Sequence, residues 1–182
     1  MEMIEVKGEI RRTHINNKRF LKKLDEMEFG WEIEQFLLRY ILTDDQINFI
    51  WGLNKVRQRV LFQTQPVTEA FIRKHIEGIS LSEAVFYVPL SEDFIREYKD
   101  ELSWPIVCEY QKLSPDFIRE MRDKVEWNNV SFFQKINYDF VFEFRKELDW
   151  EALKSNSYLN RNKICDLSKK FCYNLMTPIK TA

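Results

Sequence analysis

The sequence predicts an all-α protein, a short α-solenoid of stacked helix pairs, on three observations. Residues 90–97, LSEDFIRE, are matched 23 positions later by residues 113–120, LSPDFIRE, and a fixed period of a few tens of residues is typical of stacked supersecondary units. Only four glycines and five prolines occur in 182 residues, too few turn residues for many short strands. A hydrophobic content of 45% with 31% charged residues suits helices that have one buried and one solvated face.

The repeat predicts how the chain is divided. Residues 1–16 contain a short alternating stretch that fits either a small strand or an unstructured arm, and residues 17–158 hold about six repeat units. Asn17 opens the first unit because it stands three residues before Phe20, and Thr43 opens a degenerate second unit in which Gln46 replaces the phenylalanine. Residues 159–182 are predicted to form a C-terminal capping helix, so 1–182 is expected to be a single helical-repeat domain.

Each unit is predicted to contain two short helices. The first helix follows a residue whose side-chain oxygen can accept hydrogen bonds from the free N–H groups of the first turn. The repeat places such residues at Thr68, Ser91, Ser114 and Asn137. Helices this short are marginal in water, so stacking on neighbouring units is expected to stabilise them.

The apolar faces of the two helices define the predicted core. The first helix directs inward Phe94, Ile95, Tyr98 and Leu102, and the second directs inward Trp104, Val107 and Tyr110. The tryptophan position recurs at Trp127 and Trp150 and, one residue late, at Trp31. Core packing explains Trp104, Trp127 and Trp150 better than a ladder that stacks on nucleic-acid bases.

Basic residues are concentrated at the two ends of a chain whose formal net charge is −1. Residues 6–23 contain seven lysines or arginines against one acidic residue, and residues 161–182 contain five against one. These ends are either solvated helix faces or contacts for the phosphates of a nucleic acid. A nucleic-acid contact would use Arg11, Arg12, Lys18, Arg19, Lys22, Lys23, Lys169 and Lys170.

The repeat also predicts a row of three arginines, Arg73, Arg96 and Arg119, on one surface of the array. One interpretation is a ladder of ion pairs between units, made with Glu97, Glu120 and Glu143, which stabilises an exposed surface little. The other is a binding strip whose forked donors meet an acidic partner. Arg73, Arg96 and Arg119 are therefore the candidate partner-binding residues.

No grouping of residues predicts catalysis, a cofactor or a metal. His14 and His75 are the only histidines, and His75 occupies the repeat position of Tyr98, which favours a core role. The three cysteines form no Cys-x-x-Cys pair, so neither a zinc site nor a disulfide framework is expected. Without a long apolar run or a signal peptide, the sequence predicts a soluble cytoplasmic protein with no membrane contact and no small-molecule substrate.

The repeated pattern Leu-Ser-x-x-Phe-Ile, Asp-x-x-x-Trp and Tyr-Gln, fullest at residues 90–111 and 113–134, resembles a short degenerate helical repeat of bacteriophages and large DNA viruses. The resemblance covers residues 42–158, with Leu81 in place of one tryptophan. It implies a phage or viral origin, host cytoplasm as the location, and a binding scaffold, and it assigns no active site.

Two functions remain open at this point. The first is a non-enzymatic scaffold that binds a protein partner, such as a host or defence component that a phage product modulates. The alternative is a nucleic-acid-binding module that uses the basic ends.

Overall fold

The computed structural model describes residues 13–27 and 30–176, and its helical content confirms the all-α class. Thirteen α-helices hold 62% of these residues, and the only sheet among them is a parallel pair of two-residue strands. The chain forms two compact units, Met1–Val88 and Pro89–Ala182. The alternating stretch predicted as a strand or arm lies outside the described residues, and the single repeat domain over 1–182 stays a prediction.

The first unit contains β1 (Thr13–His14), α1 (Asn17–Asp25), α2 (Gly30–Arg39), β2 (Tyr40–Ile41), α3 (Asp44–Gly52), α4 (Gln58–Thr64), α5 (Glu69–Lys74), a 3-10 helix (Ile76–Gly78) and α6 (Leu81–Tyr87). Strands β1 and β2 pair with Thr13 opposite Tyr40. Helix α2 packs on α4, and α4 packs on α6. In this unit, helices two positions apart in the sequence, α2, α4 and α6, therefore pack in series.

The second unit contains α7 (Glu92–Glu97), α8 (Trp104–Tyr110), α9 (Pro115–Glu120), α10 (Trp127–Phe133), α11 (Tyr138–Glu143), α12 (Trp150–Leu153) and α13 (Arg161–Met176). Helices α8, α10, α12 and α13 pack in that order, each on the next. The predicted helix pairs are therefore present, and α13 is one continuous helix of 16 residues.

The predicted N-caps are confirmed. The side chains of Thr68, Ser91, Ser114 and Asn137 each accept a hydrogen bond from the backbone N–H three residues later. The predicted start of the first repeat is wrong by one residue, since the N-cap of α1 is Asn16, whose side chain accepts from Arg19 N–H at 2.9 Å. Asn17 is the first helical residue, and its side-chain oxygen instead accepts from the amide of Gln46 at 2.7 Å.

The predicted core is confirmed with one correction. Phe94, Phe117 and Phe140 are fully buried, and so are the residues that follow them. Tyr110, predicted to face inward, is 43% exposed. At the end of α8 the inward position belongs to Gln111, which follows Val107 by four residues and is therefore on the same helix face.

Buried amides join successive second helices. Gln134 is the C-cap residue of α10. Its side-chain nitrogen donates to the carbonyl oxygens of Cys108 and Gln111, both at 2.7 Å, and its side-chain oxygen accepts from Leu113 N–H at 2.9 Å. The last carbonyls of a helix have no partner within that helix, and a buried carbonyl needs one. Each amide of this kind, here called an amide clamp, satisfies the preceding helix end and holds the next helix against it.

The clamp recurs in both units. Gln65 donates to the carbonyl oxygens of Leu37 and Tyr40 and accepts from Leu42 N–H. Asn156 donates to the carbonyl oxygens of Ser131 and Gln134. The clamps Gln65, Gln134 and Asn156 thus stabilise the register of the stacked second helices.

Candidate functional site

Two rungs of the predicted arginine ladder are present in the second unit. The Arg96 Nε and Nη2 atoms donate to the two carboxylate oxygens of Glu120 at 2.7 and 2.8 Å. Arg119 makes the same forked contact with Glu143, at 3.1 and 2.8 Å. The remaining Nη1 of each arginine donates to an aspartate on its own helix, Asp93 or Asp116. Each guanidinium therefore contacts one carboxylate of its own helix and one carboxylate of the next repeat.

The same two arginines lie on buried phenylalanines. The guanidinium carbon of Arg96 lies 5.3 Å from the Phe117 ring centre, and that of Arg119 lies 5.4 Å from the Phe140 ring centre. The hydrogen bonds from the arginines lower the pKa of Glu120 and of Glu143. These contacts support a role of Arg96 and Arg119 in joining repeats, and their role in binding a partner stays a prediction.

Arg73 belongs to the first unit. Its Nη1 donates to Glu69 of the same helix at 3.1 Å, and it lines an open depression of about 450 Å³ with Trp51, Lys74 and His75. His75 is half-buried, as its repeat position predicts, and its ring lies 4.7 Å from Phe71. Burial lowers the pKa of His75, and its Nε2 contacts the side-chain oxygen of Asn48 at 2.8 Å. His75 is thus a packing residue.

Helix α1 carries four cations, Lys18, Arg19, Lys22 and Lys23. Its first turn holds no acidic residue, whereas α5, α7, α9 and α11 each have one or two there. Cations at a helix N-terminus oppose the helix dipole, and like charges four residues apart destabilise a helix. Lys18 with Lys22, and Arg19 with Lys23, have that spacing. The first-turn cations Lys18 and Arg19 therefore oppose helix formation, whereas Lys22 and Lys23 lie in the last turn, where cations favour it.

Among the described residues, these cations have no carboxylate partners. Within residues 13–27 and 30–176, none of the four α1 cations forms an ion pair, and neither does Arg39 at the end of α2. Lys18, Arg19 and Lys22 are exposed, while Lys23 is half-buried. Arg19 and Lys23 each lie 5.9 Å from the ring centre of Tyr40, so the aromatic ring holds two cations near each other.

Beside these cations, α1 and α2 enclose an open groove of about 420 Å³. Its lining combines two cations, three aromatic rings, a methionine, a glutamine and one carboxylate: Lys23, Met27, Trp31, Glu32, Gln35, Phe36, Arg39 and Tyr40. Phe36 is buried at its base, and Trp31 is 64% exposed. We call this feature the α1–α2 groove. It brings together the predicted residue Lys23 with Trp31, Arg39 and Tyr40, which were not predicted as site residues.

The other predicted nucleic-acid residues lie elsewhere. Arg11 and Arg12 are outside the described residues, and Lys169 and Lys170 are exposed on α13 of the second unit. The predicted core role holds for Trp104, which is 9% exposed and donates through its indole N–H to the Lys99 carbonyl at 2.9 Å. Trp127 and Trp150 are half-buried; Trp127 stacks on Phe144 at 5.0 Å.

The described residues contain no group of three or more His, Cys, Asp or Glu side chains placed to hold a metal ion. Cys108 is buried without a disulfide partner, and burial raises the pKa of its thiol to about 11. In the same part of the chain, no helix has the length and apolar character needed to cross a membrane.

Sequence reasoning missed the amide clamps and most of the α1–α2 groove. The repeat of Gln111 and Gln134 was visible as a pattern, but their hydrogen-bond partners lie more than twenty residues earlier in the chain. The outward position of Trp31 had one signal, its one-residue displacement from the tryptophan position. Comparison with protein-family models, curated proteins and solved structures found no match.

Proposed function

We propose that the chain is a non-enzymatic helical-repeat protein that binds nucleic acid through the basic surface of α1 and the adjoining groove. The observation that carries this proposal is that the α1 cations and Arg39 lack carboxylate partners among the described residues. Arginines elsewhere in the chain, such as Arg57 on Glu34 and Arg96 on Glu120, form forked pairs. A phosphate backbone would supply the anions that α1 lacks.

Local energetics support this assignment. Helix α1 keeps cations in its first turn and at two repulsive spacings, although the next two helices, α2 and α3, have acidic first turns. Departures from locally favourable choices are expected at functional sites. Bound phosphates would relieve the repulsion between the α1 cations, because each phosphate would place a negative charge beside them.

As part of this proposal, the repeats stack as a short α-solenoid. Support comes from the second helices, since α2, α4 and α6 pack in series in one unit and α8, α10, α12 and α13 do so in the other. The amide clamps and the two ladder rungs join residues 21–28 positions apart, the distance of about one repeat. A solenoid would provide a rigid frame for a binding surface.

The test is a salt titration of fluorescein-labelled oligodeoxythymidine binding by fluorescence anisotropy, with the full chain. Binding should weaken steeply with salt, because contacts with phosphates release counterions. Lys18→Glu/Lys22→Glu should abolish binding, and the matched control Lys112→Glu/Lys135→Glu, which reverses two exposed lysines of the second unit, should retain it. Absence of any anisotropy change at low salt for oligodeoxythymidine, RNA and duplex DNA would overturn the proposal.

A protein partner is the second candidate function, and the second unit favours it. Tyr110 and Phe133 stand at the same repeat position at the ends of α8 and α10, where they are 43% and 39% exposed. Each is followed two residues later by an exposed lysine, Lys112 or Lys135. Repeated aromatic and cationic side chains fit an acidic, partly apolar segment of another protein.

This second candidate has its own test. A partner captured from a host lysate in stoichiometric amount should be lost with Tyr110→Ser/Phe133→Ser, while oligodeoxythymidine binding should be unchanged. Retention of that partner by the double variant would contradict the assignment of this surface. A phage or viral origin also stays a prediction.

A further inference from the structure

The α1–α2 groove contains a largely exposed aromatic side chain, Trp31. Trp31 is 64% exposed, the highest value among the large hydrophobic side chains that are exposed in the described residues. Its indole has no ring contact and no hydrogen bond within that part of the chain. Trp104, which stands one residue earlier in its repeat, is buried and hydrogen-bonded. Trp31 is thus displaced from the repeat's tryptophan position and has the opposite exposure.

The groove has cations on both of its walls. Lys23 comes from α1 and Arg39 from the last turn of α2, and neither forms an ion pair with a described residue. Lys23 is held near Tyr40, 5.9 Å from the ring centre. Glu32 is the one carboxylate in the lining, and it would repel a phosphate placed beside it. A ligand with separate anionic and neutral parts fits this distribution of charge.

We infer that the groove holds one nucleotide of a single-stranded nucleic acid, with its base stacked on Trp31 and its flanking phosphates on Lys23 and Arg39. This inference rests on the proposed nucleic-acid function and names its substrate class. Stacking on an exposed aromatic ring next to cations is the way single strands are bound without sequence preference. The groove volume of about 420 Å³ lies within the range of about 300–1,000 Å³ found for small-ligand sites.

A duplex does not fit the same features. Paired bases expose their edges in the grooves and keep their faces stacked inside, so a duplex offers Trp31 no face to stack on. The phosphates of a duplex could still contact the cations of α1, and such contacts do not depend on the base sequence. Single strands should therefore bind more tightly than duplexes of the same sequence, and the difference should depend on Trp31.

An anionic membrane surface is the competing source of phosphate. Helix α1 has an exposed apolar residue, Leu21, between its cations, and basic amphipathic helices bind anionic lipid surfaces. The two sources differ in what Trp31 contacts: a base face quenches indole fluorescence by stacking, whereas acyl chains shift the emission to shorter wavelength. Vesicles of phosphatidylcholine with phosphatidylserine provide the comparison.

The experiment measures binding of a short oligodeoxythymidine and of the matching duplex to the full chain and to Trp31→Ala. Loss of one stacked base should weaken single-strand binding by about 5- to 150-fold, since stacking contributes roughly 1–3 kcal/mol per base. Duplex binding should stay unchanged. Tyr158→Ala is the matched control, because Tyr158 is an exposed aromatic residue of the second unit, and it should behave as the parent protein. Trp31→Phe should retain most of the affinity.

Tryptophan fluorescence provides the second readout. Oligodeoxythymidine should quench the parent protein, and the quenching should disappear in Trp31→Phe although binding persists. Equal single-strand affinity of Trp31→Ala and the parent, with equal melting temperatures, would overturn the inference while leaving nucleic-acid binding by α1 in place. A shift of tryptophan emission to shorter wavelength with vesicles, in the absence of oligonucleotide binding, would overturn both this inference and the proposed nucleic-acid function. Equal affinity for duplex and single strand would also overturn it.

Discussion

Two groups of cations, one in each unit, differ in their partners. In the second unit, Arg96 and Arg119 each contact two carboxylates and lie on a phenylalanine ring of the next repeat. In the first unit, the cations of α1 have no carboxylate partner among the described residues and face one another at repulsive spacings. Arg96 and Arg119 thus make contacts between repeats, whereas the α1 cations are the ones that the proposed binding of phosphates would use.

The largest expected effect concerns the frame of the second unit. Phe117 is fully buried beneath Arg96, so Phe117→Ala should remove both a core side chain and the ring that supports a ladder rung. Truncation of a buried phenylalanine costs about 3–5 kcal/mol. Hydrogen exchange should rise mainly in residues 90–158, because a repeat array couples neighbouring units. A uniform rise over the chain, or no rise, would contradict the assignment of Phe117 to the core between repeats.

The amide clamp should have the next largest effect. Gln134→Ala leaves two buried carbonyls and one N–H without their side-chain partner, and an unsatisfied buried group costs about 1–3 kcal/mol. We expect a loss of about 2–3 kcal/mol in chemical unfolding. Gln58→Ala is the matched control, since Gln58 makes two hydrogen bonds with Ser80 at an exposed site. Equal effects of the two substitutions would show that burial of the clamp is unimportant.

The arginine row should matter less than its regularity suggests. Arg73→Gln/Arg96→Gln/Arg119→Gln, which adds no repulsion between carboxylates, should shift the melting temperature little, because exposed ion pairs contribute little, and it should leave a captured protein partner bound. The measurement is partner capture together with thermal unfolding. Loss of capture with an intact melting temperature would instead support the row as a binding strip.

The smallest effect is a dependence on pH. Since Arg96 and Arg119 lower the pKa of Glu120 and Glu143 in the folded state, their stabilisation is present above the ordinary glutamate value of 4.5. It is lost as the pH falls below 4.5 through the lowered values. Glu120→Gln/Glu143→Gln should therefore have a shallower decrease in stability over that acid range. An unchanged decrease in melting temperature would contradict the ladder contacts.

The sequence predicted those parts of the fold that depend on local chemistry. The caps Ser91 and Ser114 and the buried Phe94, Phe117 and Phe140 follow from a pattern repeated every 23 residues. The sequence did not predict features that depend on contacts with residues distant in the chain. The periodicity named Glu120 as a ladder partner of Arg96 but left a binding strip open as well, because sequence spacing does not show whether the ion pair forms.

The candidate site was harder to predict for the same reason. Lys23 was identified from the basic segment, but Arg39, Tyr40 and Trp31 join it only through the packing of α1 and α2. Trp31 lies one residue beyond the tryptophan position of the repeat and has the opposite exposure to the buried Trp104. The repeat pattern alone does not show which side of α2 such a displaced side chain occupies.

We expect the α1 cations of the first unit to bind phosphates and the paired Arg96 and Arg119 of the second unit not to bind them. The most direct measurement compares the salt dependence of oligodeoxythymidine binding in Lys18→Gln/Lys22→Gln and in Arg96→Gln/Arg119→Gln, which each remove two positive charges. The account predicts that the slope of log K against log salt decreases in size by about 0.7 for each lost phosphate contact in the first variant and stays unchanged in the second. Equal slopes in both variants, or a change only in the arginine variant, would contradict it.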